Sequence, residues 1–147
     1  MNSIKKQIVG RVLELLDVLK VEAGIRDIER KRDLFLQAAK YPAIHVIDGV
    51  EIPAEAEEDN VGYTLEFPLV IKLMVEDQRD PYGATDELVP LIQKIIESDV
   101  QLNGLANWVR FEGEAPFVHE INKPLGGSLV NYRIQYRRKR GEPETTY

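Results

Sequence analysis

The sequence contains no cysteine, which excludes disulfide scaffolds, thiolate zinc and iron–sulfur sites, and cysteine nucleophiles. Histidine is scarce as well, with only His45 and His119 in the chain. No apolar run approaches the roughly 18 residues that a membrane span needs, and charges interrupt Met1–Lys20 where a signal peptide would be apolar. A soluble, unexported protein is therefore expected. No Gly-x-Ser-x-Gly, His-Glu-x-x-His or kinase signature occurs. Gly126-Gly127 lacks the following Lys-Ser/Thr and helix of a phosphate loop, so a hairpin turn is the simpler reading there. What is present is 147 residues, 44% of them hydrophobic, with a net charge of −6. A chain of that length suits one domain and can bury a core without a crosslink or metal.

Periodicity orders the elements. Ile4, Ile8, Val12, Leu15, Leu16 and Leu19 form one stripe of an amphipathic helix, with Ser3 as its N-cap and Gly24 beyond its end. Ile28-x-Arg30-x-Arg32-x-Leu34-x-Leu36 alternates like a strand, although its charged residues suit a helix equally. Tyr41-Pro42 leads into a β-rich Ala43–Ile47, and Asp48-Gly49 marks a turn. Leu65, Phe67, Leu69, Ile71, Leu73 and Val75 define one face of a long strand. Pro68 inside it predicts a sheet edge or a bulge. A second helix is expected around Leu88, Leu91, Ile92, Ile95 and Ile96, capped by Thr85 or Asp86, with Pro90 near its first turn. Ala106–Glu112, Phe117–Ile121 and Leu129–Arg137 read as strands, the last two joined through a hairpin connection at residues 123–127. Helix, strands, helix, strands makes a single α+β domain over residues 1–147: a mostly antiparallel sheet with two helices packed on one face, and a short polar tail from about residue 141.

Candidate chemistry is sparse. Neither histidine has a second histidine or a carboxylate at metal-ligand spacing, so both are expected to be ordinary strand residues, with no metal and no cofactor. Glu112 and Glu114, with Glu120 nearby, lie around a predicted Gly113 turn next to Pro116 and read as a solvated loop rather than an acid–base pair. No catalytic residue is assigned, and an enzyme is not expected. Charge layout is more informative. Residues 41–71 contain seven acids and no Lys or Arg, among them Glu55, Glu57, Glu58 and Asp59, whereas residues 121–140 contain six basic residues and no acid. In the last strand Asn131, Arg133, Gln135 and Arg137 alternate with apolar residues, so a polar face runs into the cluster Arg137, Arg138, Lys139 and Arg140. Either the charges are simply solvated, or opposite patches steer head-to-tail contact between copies, which closes into a ring when the rotation permits. A local phosphate contact is a third reading, although the sequence pI near 5.0 and the absence of aromatics within the Arg137–Arg140 cluster argue against nucleic acid as the main partner.

Across roughly Ile4 to Pro143 the chain resembles the tail terminator proteins of long-tailed bacteriophages. The resemblance rests on the leading amphipathic helix, Tyr41-Pro42-Ala43-Ile44-His45-Val46 followed by Asp48-Gly49, and the long alternating strand Tyr63–Val75. It continues with Leu88–Ile96, Leu102-Asn103-Gly104-Leu105 and Tyr132–Arg137 with Gly141-Glu142-Pro143 behind. It implies a subunit of a ring, usually hexameric, that seats on the last ring of the tail tube, stops its polymerisation and offers its other side to the head connector. On this reading the partners are the chain itself, the tube protein and a head connector or completion protein. No membrane and no sequence-specific nucleic acid is involved, and the location is the head-proximal end of the virion tail after assembly in the host cytoplasm. The interface residues expected are Glu55, Glu57, Glu58, Asp59, Arg133, Arg137, Arg138 and Arg140. Alternatives are another head–tail connector, or a cellular domain that binds a small ligand between sheet and helices.

Overall fold

The computed structural model describes residues 2–34, 37–54, 62–76, 81–120 and 124–146. Ser3 caps α1 (Ile4–Leu16), its hydroxyl accepting from the Lys6 N–H at 3.1 Å. Ile4, Ile8, Val12 and Leu16, spaced by four, are buried on one side of the helix with Val9 beside them. The stripe continues across a turn at Asp17 and Val18 and ends with Leu19 in the single turn α2 (Leu19–Glu22). Gly24 follows at φ +67°, a left-handed value that glycine adopts freely. The polar tail turns back on the same region, because the Pro143 carbonyl accepts from Ile4 N–H at 2.8 Å. One of the unsatisfied first-turn donors of α1 is thereby paired.

The strands are β1 (Asp27–Arg30), β2 (Ala43–Asp48), β3 (Ile52–Pro53), β4 (Gly62–Glu76), β5 (Trp108–Glu120) and β6 (Pro124–Lys139), with α3 (Pro81–Glu97) between β4 and β5. Their order is β1-β2-β4-β6-β5, and β3 pairs with β4 beyond the end of β2. Every pairing is antiparallel except that of β1 with β2. Leu65, Phe67, Leu69, Ile71 and Leu73 of β4 and Val130, Tyr132, Ile134 and Tyr136 of β6 are buried with the stripes of α1 and α3 in one core. Each such side chain contributes about 1.5–3 kcal/mol by leaving water. The α+β architecture and the two helices on one face agree with the sequence expectation.

Several boundaries differ, each for a local reason. β1 stops at Arg30; Lys31 N–H still reaches the Val46 carbonyl at 3.0 Å, after which the chain leaves the sheet. Pro68 sits on an interior strand, not at an edge. Its carbonyl accepts from Gly49 N–H at 2.8 Å, so its nitrogen side faces the break between β2 and β3, where no ladder donor is required. A side chain at Gly49 would overlap the Pro68 ring, which explains the glycine. α3 starts at Pro81, so Thr85 is a buried residue inside the helix and not its cap, and Pro90 lies mid-helix. The buried stripe is Thr85, Val89, Ile92 and Ile96, while Leu91 is 38% exposed. The expected strands on either side of Gly113 are one strand, β5, with a bulge between Phe111 and Gly113. Gly126 and Gly127 lie within β6, pairing with β5 and β4, and not in a turn. A Cβ at Gly127 would overlap the Leu73 carbonyl and the Phe117 ring. Among the described residues no helix is long and apolar enough to cross a membrane.

Candidate interaction surface

Alternation along β6 sends Tyr132, Ile134 and Tyr136 into the core and leaves Asn131, Arg133, Gln135 and Arg137 half-buried on the face without helices. Register then assigns their neighbours. Arg133 stands opposite Arg110 of β5 and Pro68 of β4, and Gln135 stands between Trp108 and Glu66. Two like charges directly across a ladder repel. The conflict is relieved locally: Glu112 accepts from Arg133 Nε at 3.1 and 3.2 Å, and the Arg110 guanidinium stacks 4.0 Å from the centre of the Trp108 ring. Asn107 donates to Gln135 at 2.9 Å. Pro68, Val70 and Leu129 share this face at intermediate exposure, so it is polar and cationic in part and apolar in part.

The predicted cationic patch is divided between two faces. Arg133 and Arg137 belong to the helix-free face, whereas Arg138 and Arg140 approach Tyr63, with guanidinium carbons 4.9 and 5.0 Å from the ring centre. Tyr63 is the register partner of Arg138. Glu55, Glu57, Glu58 and Asp59 lie outside the described residues. Their flanks do not: Ala54 N–H donates to the Thr64 carbonyl at 2.9 Å, and Gly62 pairs with Lys139. Ala54 and Gly62 themselves thus sit at the end of the sheet that carries the basic cluster.

Other acids in that stretch are already engaged. Asp48 holds Arg30 through two 2.8 Å bonds and lies 3.3 Å from Lys5. Burial pushes its carboxyl up, but Arg30 and then Lys5 outweigh that and hold it below its ordinary value. Glu51 accepts a hydrogen bond from the Tyr136 hydroxyl; burial, reinforced by this carboxylate, pushes the Tyr136 phenol up. Glu112 and Glu114, expected in a loop, lie on β5 instead, and Glu114 accepts from Ser128 Oγ at 2.9 Å.

The parallel pairing of β1 with β2 creates a grouping that the sequence does not announce. Glu29 is the register partner of His45, and Asp27 lies two residues earlier on the same side of β1. Ligand-capable atoms of Asp27, Glu29 and His45 all lie within 4.8 Å of one another. His45 is fully buried, and neither ring nitrogen has a hydrogen-bond partner. Burial, more than the opposing influence of Asp27, lowers its pKa and keeps the ring neutral; Lys31 and Lys72 act in the same direction. Lys31 bonds one Glu29 oxygen at 2.7 Å, and Lys72 donates to the Leu34 carbonyl at 2.6 Å. The His119 side chain lies outside the described residues.

No family model matches the chain, and no curated protein matches it. Among solved structures it is similar to a chain of the virion of a native gene transfer agent particle, at 11% sequence identity and a TM-score of 0.49, over 86% of this chain and 92% of that one. At that identity the likeness transfers no residue role.

Proposed function

We propose that this protein is a virion assembly component that works through its exterior: a ring-forming subunit that caps a tail tube, stops its growth and presents a surface for head joining. The observation that carries the reading is a sheet covered by helices on one face only, whose other face mixes Arg133 and Arg137 with half-buried Pro68, Val70 and Leu129. Such a face can be covered by a copy of the chain or by another ring. Many small contacts multiplied by ring valence then give firm attachment without a tight pairwise interface. The tail-terminator resemblance supplies the direction of the proposal: copies of itself, the tube protein and a head connector as partners, in the virion. It is not an enzyme on this reading.

Ring contact through the acidic stretch and the basic cluster requires pairing between copies rather than within one. Two variants separate those cases. One changes Glu55, Glu57, Glu58 and Asp59 to Lys, and the other changes Arg137, Arg138 and Arg140 to Glu. Each alone should fail to join tails to heads, and a mixture should recover joining. Failure of the mixture despite folded subunits removes the pairing between copies. Electron microscopy of lysates lacking the chain tests the role itself: overlong or headless tails support capping, and normal particles end the proposal.

A further inference from the structure

A buried imidazole with both nitrogens unsatisfied is costly, because a buried polar group without a partner has given up its water and gained nothing in return. His45 is in that position on the helix-free side of β2, with two carboxylates beside it. Metal ligation resolves such an arrangement directly. An imidazole nitrogen and two carboxylate oxygens are a donor set suited to a divalent first-row transition ion, whereas Mg2+ and Ca2+ prefer oxygen alone. Two carboxylates also match the charge of the ion.

We infer that Asp27, Glu29 and His45 form a divalent transition-metal site, in which the ion ties the edge strand β1 to β2. Ligand atoms in a tetrahedral site with bonds of about 2.1 Å stand about 3.4 Å apart. The present separations, within 4.8 Å, require movement of about an ångström at the side-chain ends. The register is already set by the backbone: Asp27 pairs with Ala43, and Glu29 with His45. Lys31 bonds one oxygen of Glu29, which leaves the other oxygen for the metal. The positive charges of Lys31 and Lys72 nearby lower the affinity without removing a ligand. A cavity of about 370 Å³ with Asp27 and Glu29 in its wall, together with Lys31 and Gln37, gives solvent a route to a fourth position. The site is independent of the assembly reading: either can fail without the other.

Co2+ is the probe, since its visible absorption bands report nitrogen and oxygen ligation. The full-length protein, stripped with a chelator, is titrated with CoCl2 and then with ZnCl2 as competitor. One equivalent of Co2+ should bind with a new visible band, and Zn2+ should displace it. Asp27→Asn and Glu29→Gln should each weaken binding at least about tenfold. His119→Gln should change nothing. His45→Gln should abolish the band if the variant folds, as judged by circular dichroism; if it does not fold, the two carboxylate variants decide. Absence of uptake, undiminished uptake in both carboxylate variants, or loss of uptake in His119→Gln would each overturn the site.

Discussion

Adjacent residues on the central strands live in different environments. On β4, Ile71 is fully buried beneath the helices, while Val70, one residue earlier, is half-buried on the open face. On β6, Tyr132 is 1% exposed, and Arg133 beside it is held by Glu112 at the surface. Along the middle of β4 and β6 one parity thus builds the core and the other stays half-exposed, whereas on β2 both are buried. The contrast can be broken with a pair of alanines. Ile71→Ala should cost about 2–5 kcal/mol in urea unfolding, as for other fully buried aliphatic truncations, and Val70→Ala less than about 1 kcal/mol. Equal losses would mean that the two faces are packed alike.

A smaller effect tests a polar contact on the covered side. Asp48 joins α1 to β1 and β2 through Lys5 and Arg30 and is only 10% exposed. Asp48→Asn should cost about 1.5–3 kcal/mol at pH 7, the usual range for hydrogen bonds to charged groups. The pH dependence follows from the direction of its shift. The folded carboxyl lies below its ordinary value of 3.8. Its contribution is therefore fully present above that value and is lost as pH falls through the lower, folded one. The difference between Asp48→Asn and the native chain should be constant from pH 7 to about 5 and shrink below 3.8. A difference that persists undiminished into strong acid would show that packing, not charge, is lost.

The covered face is legible because apolar alternation reports burial directly: the apolar spacing along α1, β4 and β6 matches their buried sets. Positions where local chemistry and tertiary pairing disagree are not. Pro68 suggests an edge from its missing donor, yet the gap it needs is supplied within an interior strand by the break between β2 and β3. Gly113 and Gly126-Gly127 suggest turns, but one makes a bulge and Gly127 admits a close approach of neighbouring atoms. The Asp27–Glu29–His45 grouping depends on a parallel pairing between segments separated by a long connection. No local spacing encodes that. The cations of β6 stand out in the sequence as one group, but their division between the open face and the Tyr63 side follows only from the register of β4 on β6.

That division permits the subtlest test of the contrast between faces. Arg133→Glu with Arg137→Glu alters the open face, and Arg138→Glu with Arg140→Glu alters the Tyr63 side. The second pair forfeits two cation–aromatic contacts, so it should lose about 0.5–1 kcal/mol. In the first pair, the Arg133–Glu112 ion pair is partly exposed and contributes about 0–1 kcal/mol. Stability changes little in either case, so under the proposed function particle joining is the informative readout. If the open face is the docking surface, the first pair should block joining while the second leaves most of it. The reverse outcome would transfer the interface to the Tyr63 side at the end of the sheet. Equal loss in both would mean that the contact wraps the end of β6 and uses both faces at once. In that case the separation of roles by strand parity holds along the middle of the sheet and fails at its basic end.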